Sequence, residues 1–435
     1  MNKPVIAGIA ALLLHVLLIF GTPGPVAALE HHKSISVNID GLPVSFDTQP
    51  AIRDGRTMVP FRALAEALNV NVTWDAATQT VRAKFDNTYI KLQIGNPRAY
   101  RNNLAVTLDV PPAISGGRTL IPLRFFSESF GCKVKWDNTA YEINITSPPK
   151  TMAVIGFYAL GDSETSSWRD LFTRNYPDTS EGNTGALSGL ALGWYSLDEQ
   201  GNLLTQSKTG WQRPEGWEKV LQVAGRYRLN SEMMVHLTDK DSTIYNLLNN
   251  RTAVTGAVNA IKKEAMLYHG VNLDFEGLGW RDDDDKLITV KNNFSQFVTL
   301  LANELKKDNH NLTLTLHAPN SAYQGYDYQA LGKQADRIII MAYDYGTKPE
   351  PVDLVVEAVE RARSVVPSEK LVLGISIPSE TPESLLIKIG IAKRYNLNGI
   401  ALWRLGLLTD EMWKIIKQSS TPRTVLNVNS LDSKN

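Results

Sequence analysis

The rhythm of hydrophobic and polar positions changes along the chain. From about residue 152 onward, short apolar or alternating segments recur at 153–158, 189–197, 231–237, 271–275, 312–316, 337–343, 371–377 and 400–404. Each reads as a β-strand. Between them lie stretches with apolar residues at helical spacing, most clearly at 253–267, 293–307, 354–366, 383–395 and 409–418. Eight such β–α units predict an α/β fold, a (β/α)₈ TIM barrel over residues 152–418. Residues 419–435 read as a flexible tail, and the acidic run from Asp282 to Asp285 reads as a solvated loop.

Residues 34–147 carry a different pattern, an internal repeat. Gly55-Arg56-Thr57-Met58-Val59-Pro60-Phe61-Arg62 matches Gly117-Arg118-Thr119-Leu120-Ile121-Pro122-Leu123-Arg124. Glu66 matches Glu128, and Trp74-Asp75 matches Trp136-Asp137, at the same offset. Each copy predicts a short strand into a proline turn, a helix, then an alternating strand. Two copies make a small α+β two-repeat module ahead of the barrel. The repeated Arg and Trp suit either glycan contact or packing and turn stabilisation. Ser147-Pro148-Pro149-Lys150 reads as the linker.

The first residues have a third pattern. Lys3 precedes an apolar run from Val5 to Phe20, Gly21 to Pro25 break it, and Val26-Ala27-Ala28 has the small side chains of a cleavage site. Residues 1–28 are expected to be a secretory signal peptide; an uncleaved membrane anchor is the alternative. A secreted, cell-envelope or spore-associated protein follows. The net charge of zero removes any global pull toward nucleic acid. The single cysteine, Cys132, excludes an intrachain disulfide, and no paired Cys/His spacing points to a metal.

The segment with most chemistry is the fourth strand, His269-Gly270-Val271-Asn272-Leu273-Asp274-Phe275-Glu276. Strict alternation sends Asn272, Asp274 and Glu276 to one face, with neighbouring Cβ atoms roughly 6–7 Å apart. Acids on a mostly apolar strand are costly unless they face a cavity or a partner. Glu276 falls at the C-terminal end of the strand, where barrel catalysis is sited. A buried ion-pair network is the competing reading.

These motifs resemble two families. The repeats resemble the copper amine oxidase N-terminal-like domain, which implies a non-catalytic stalk or wall-binding module; no copper-ligating cluster accompanies it. The strand-four octapeptide, Met341-Ala342-Tyr343-Asp344 and Trp403 resemble glycoside hydrolase family 18, whose strand-four signature is D-G-x-D-x-D-x-E. His269 and Asn272 depart from that signature. Asn at this position is similar to the branch acting on bacterial wall and spore cortex. The resemblance implies that Glu276 is the acid and base, that Asp274 holds the substrate acetamide, and that Tyr343 orients it. It further implies that Asp344 and Trp403 contact substrate and that no metal or cofactor is needed; Asn272, able to hydrogen-bond Asp274, is expected at the substrate too, as is Tyr158, which ends candidate strand one, with packing open for Tyr158. Trp194, His236, His317 and Asn320 also end candidate strands, with lining the cleft and packing both open.

The implied activity is retaining hydrolysis of a polysaccharide containing N-acetylglucosamine, assisted by the substrate's own 2-acetamido group. Only about five residues, 378–382, separate strand seven from the next helix, so the cleft should be shallow and open. That favours peptidoglycan over chitin. A chitinase and a non-catalytic glycan-binding protein are the alternatives. A monomer with no nucleic-acid partner is expected, with wall attachment through the N-terminal module.

Overall fold

In the computed structural model, residues 34–159, 166–207 and 211–423 are described. The expected export segment and the chain beyond 423 lie outside them. Among the described residues, no helix is long and apolar enough to cross a membrane.

The barrel strands are β1 (Lys150–Tyr158), β2 (Gly189–Leu197), β3 (Asn230–Thr238), β4 (Gly270–Glu276), β5 (Asn311–His317), β6 (Arg337–Met341), β7 (Leu371–Ser376) and β8 (Gly399–Trp403). Each pairs in parallel with its neighbours, and β8 closes on β1 through Ala153 opposite Gly399. Strand alternation splits the apolar residues into two sets. Ala153, Ile155, Phe157, Ala191, Met234, Ile339, Val372 and Ala401 fill the interior. Val154, Tyr158, Trp194, Leu273 and Phe275 face outward into the layer beneath the helices. β6 ends at Met341, two residues sooner than the pattern predicted, so Tyr343 stands on the loop that follows.

Two expectations are corrected here. The acidic run is a helix start rather than a free loop. Asp283 caps helix Asp284–Lys307 by accepting from the Lys286 N–H, and Asp284 and Asp285 occupy the first turn, where the helix dipole favours negative charge. The expected tail begins with an ordered strand: Ser420–Pro422 pairs in parallel with the start of β1.

In the module, the repeat is a structural two-fold. Arg56–Pro60 and Arg118–Pro122 pair antiparallel with Val59 opposite Ile121, which are themselves repeat equivalents. Each strand enters a short helix at its proline, Phe61–Ala67 and Leu123–Ser129. Pro60 and Pro122 are the N-caps, where the missing N–H costs nothing. Val59, Leu64, Ile121 and Phe126 share one core.

The module is packed onto the barrel, and Ser147-Pro148-Pro149 is correspondingly no free tether. Asp40 accepts from the Ser147 N–H at 2.9 Å and from its hydroxyl at 2.5 Å, and lies 3.1 Å from the Lys393 ammonium. Arg394 donates to the carbonyls of Leu42 and Pro43 at 2.9 and 2.8 Å. Lys393 and Arg394 end helix Pro382–Arg394. Helix ends and strand starts lie at the same end of a β/α barrel, so the module sits opposite the catalytic end.

Candidate active site

β4 carries Asp274 and Glu276 to the upper interior, and β3 brings His236 beside them in register with Asp274. His236 Nδ1 lies 2.9 Å from Asp274 Oδ2 and 3.8 Å from Glu276 Oε1. Donor atoms of these three residues fall within 4.8 Å of one another, close enough to ligate a cation, although the His–Asp hydrogen bond already accounts for the contact. Asp274 is 2 % exposed, and its Oδ1 has no hydrogen-bond partner. A buried acceptor left open in this way is suited to a substrate N–H.

Burial raises the pKa of Glu276, as does the adjacent Asp274 charge; His236 opposes them, and the result is about 8. The carboxyl is therefore protonated at neutral pH and able to act as an acid. Burial by itself would lower the pKa of His236, but the hydrogen bond and charge of Asp274, with the charge of Glu276, raise it overall. Burial lowers His317, which is stacked on Tyr323 at 3.9 Å, to about 4, so it is neutral.

Tyr343 packs against β7, where a Cβ on Gly374 would come within 3.3 Å of its ring. Burial, then the charges of Asp274 and Glu276, push its hydroxyl well above the usual phenol range, so it stays a donor. Asp344 adopts a left-handed φ of 66° and is exposed; its N–H donates to Glu350 Oε1 at 3.0 Å. Burial and the Glu350 charge raise its pKa, against Lys348. Trp403 is half-buried above the interior residues, edge-on to Phe157 at 5.2 Å and 5.4 Å from Trp211. Tyr326 donates to the Phe275 carbonyl at 2.7 Å and so ties down the end of β4.

Two expected contact residues fall elsewhere. Tyr158 points outward and packs with Trp194 at 6.1 Å under the helices. On β1 the inward residue is Phe157; the strand end was right and the alternation phase wrong. Asn272 is fully buried and its amide is used by protein. Thr315 donates to its Oδ1 at 2.8 Å, and its Nδ2 donates to Glu232 Oε2 at 3.3 Å. Glu232 also accepts from Thr313 at 2.7 Å and is ion-paired with Arg337. An aspartate at 272 would set a second carboxylate against Glu232, which gives the amide its reason. His269 accepts from the Ser231 N–H at 3.1 Å at the start of β4, away from Glu276.

His236 was visible only as one candidate among several strand ends. Trp211 belongs to no predicted element, and nothing in the sequence pattern singles it out. The connection after β7 is short: Ile377–Ser379 forms one turn before helix Pro382–Arg394, so no inserted domain walls the cleft there.

Residues 134–379, more than half of the chain, match the model of Glycosyl hydrolases family 18, and residues 38–145 match that of the Copper amine oxidase N-terminal domain. "Putative sporulation-specific glycosylase YdhD" of Bacillus subtilis (strain 168) is 32 % identical over 146 residues, 31 % of this chain and 33 % of that protein. The aligned stretches span 33 % and 40 % of the two curated relatives matched. Among solved structures, a chitinase from Chromobacterium violaceum ATCC 12472 aligns with a TM-score of 0.51 at 20 % identity, covering 62 % of this chain and 98 % of that one. The spore cortex-lytic enzyme SleL of Bacillus megaterium QM B1551 aligns with a TM-score of 0.52 at 16 % identity, covering 73 % and 81 %. At such identities the two structures speak for the fold alone. β8 lies beyond the family match, and its pairing with β1 completes the barrel.

Proposed function

The chain belongs to glycosyl hydrolases family 18, and from that premise we propose that it cleaves glycan containing N-acetylglucosamine by substrate-assisted retaining hydrolysis. The observation that carries the reading is the enclosure of Asp274, held by His236 with its Oδ1 left open, two residues before Glu276 on the same strand face. Ordinary retaining enzymes place a carboxylate nucleophile about 5 Å from the acid, with access to the anomeric carbon. Asp274 is held by His236 and almost wholly buried, so it is unsuited to that attack. A nucleophile carried by the substrate, its 2-acetamido oxygen, takes that role instead.

In this mechanism Glu276 gives its proton to the leaving glycosidic oxygen as the acetamido oxygen bonds to the anomeric carbon, and then takes a proton from the water that attacks that carbon and releases the acetamido oxygen. The open Oδ1 of Asp274 accepts from the acetamide N–H and stabilises the positive charge that develops. The Tyr343 hydroxyl donates to the acetamide oxygen and aims it. Trp403 supplies an apolar platform for a sugar ring. Asp344, at the rim, contacts sugar hydroxyls.

Bacterial wall, peptidoglycan or spore cortex, is the proposed substrate, with action outside the cytoplasmic membrane. The shallow connection after β7, the apolar segment at 5–20 and the likeness to a sporulation-specific glycosylase support it. Digestion of purified wall, cortex fragments and chitin oligomers, with mass spectrometry of the products, tests it. New reducing ends at N-acetylglucosamine, preferentially from wall, are expected. Equal turnover of glycans without 2-acetamido groups refutes the mechanism, and preference for chitin oligomers makes the enzyme a chitinase. Glycan binding without cleavage by either wild type or Glu276→Gln would make it a binding protein.

A further inference from the structure

The two-fold in the N-terminal module builds one groove twice. In one, Trp74, Arg62 and Glu66 of the first repeat face Arg118 of the second, which is ion-paired with Asp47. In the other, Trp136, Arg124 and Glu128 of the second repeat face Arg56 of the first, ion-paired with Asp109 at 2.7 Å. The grooves have volumes of about 450 and 730 Å³.

Packing uses these side chains only in part, Trp136 meeting Tyr141 edge-on at 5.6 Å. Trp74 and Trp136 are 36 % and 37 % exposed, although indole is among the costliest side chains to leave in water. Both Arg–Asp pairs are more than half exposed, a setting in which an ion pair adds little stability. In these grooves the repeats share the turn residues Gly55/Gly117, Thr57/Thr119 and Pro60/Pro122 and differ at the helix start, where Phe61 is matched by Leu123 and Ala63 by Phe125. The Trp, the two Arg and the Glu are the same in both. Each groove holds two arginines against one aspartate and one glutamate, so it carries no net charge.

We propose that the module binds polysaccharide at these two symmetry-related sites. An exposed indole offers a flat apolar face for the C–H side of a pyranose ring. The Arg–Asp fork and the Glu at its edge offer both donors and acceptors for hydroxyl and acetamido groups. Charge balance selects an uncharged sugar backbone over a polyanion such as a phosphate-rich polymer. Because the module sits at the barrel end opposite Glu276, an anchored glycan leaves the catalytic cleft open.

The test uses the full chain carrying Glu276→Gln, so that bound glycan persists, in sedimentation with insoluble peptidoglycan. Adding both Trp74→Ala and Trp136→Ala should weaken binding on the order of tenfold or more, and each alone should weaken it less, as loss of one of two linked sites does. The pair Arg56→Gln and Arg118→Gln should act similarly, a second route should either indole variant fold poorly. In the otherwise wild-type chain, the Trp variants should cleave a short soluble N-acetylated substrate at the wild-type rate. Undiminished binding by both double variants overturns the proposal. So does parent binding that collapses between 50 and 500 mM salt, which would mark a polyanion site; the two concentrations span Debye lengths from about 14 to 4 Å. Neither outcome bears on catalysis.

Discussion

Replacing Glu276 by Gln should stabilise the protein in a pH-dependent way. Burial and Asp274 hold the Glu276 carboxyl at about 8, against 4.5 for an ordinary glutamate. At about 1.4 kcal/mol per pK unit the full difference is about 5 kcal/mol. The side chain is 30 % exposed, and solvent screening brings the expected effect down to about 2–4 kcal/mol. The sign follows from proton counting. Between pH 4.5 and 8 the folded protein holds a proton that the unfolded chain releases. Folding stability from this group is therefore full below 4.5 and is lost as pH rises toward 8. Glutamine has no such loss. Thermal unfolding of wild type and Glu276→Gln should coincide near pH 4. At pH 8.5 the variant should melt higher by several degrees, on the order of 3–8 °C. A difference in melting temperature that is the same at every pH would refute the burial and charge assigned to Glu276.

Three other substitutions probe separate links. His236→Ala should lower kcat/KM on the order of 100-fold by freeing Asp274, and should move the alkaline limb of the pH–rate profile upward, because the cation opposing the Glu276 shift is gone; an unmoved limb would show that His236 does not act on Glu276. Asn272→Asp should cost about 2–4 kcal/mol in urea unfolding at pH 7.5, from a carboxylate against Glu232, and should recover below pH 5 as the new acid takes a proton. Equal stability at both pH values would remove the like-charge argument for the amide. Tyr343→Phe should lower kcat on N-acetylated substrate by about 10- to 100-fold with little change in KM, whereas a change confined to KM would make the tyrosine a binding contact only.

The number of barrel strands, their bounds to within a few residues and the position of Glu276 were legible because they depend on local periodicity and strand-end placement. So was the internal repeat, since duplicated turns leave duplicated Gly, Pro and Trp. Periodicity of two separates faces but does not say which face is inside, and on β1 the interior residue is Phe157 whereas Tyr158, expected at the substrate, points outward. The amide at 272 was legible as a departure, and its cause was not, because Glu232 lies forty positions earlier. His236 and Trp211 reach the site for the same reason: closing eight strands brings distant positions into one ring.

What the residues determine by themselves is the chemistry on offer: two acids on one strand face, a tyrosine just beyond one strand, a tryptophan at the end of another, and a module built twice. Tertiary structure decided which of these meet. It set His236 against Asp274 and left one Asp274 oxygen open. It buried Glu276 enough to keep its proton. It paired Val59 with Ile121, so that each tryptophan faces the other repeat's arginine. Proton affinity and groove shape depend on desolvation and on neighbours far away in sequence, and these exist only once the chain has closed.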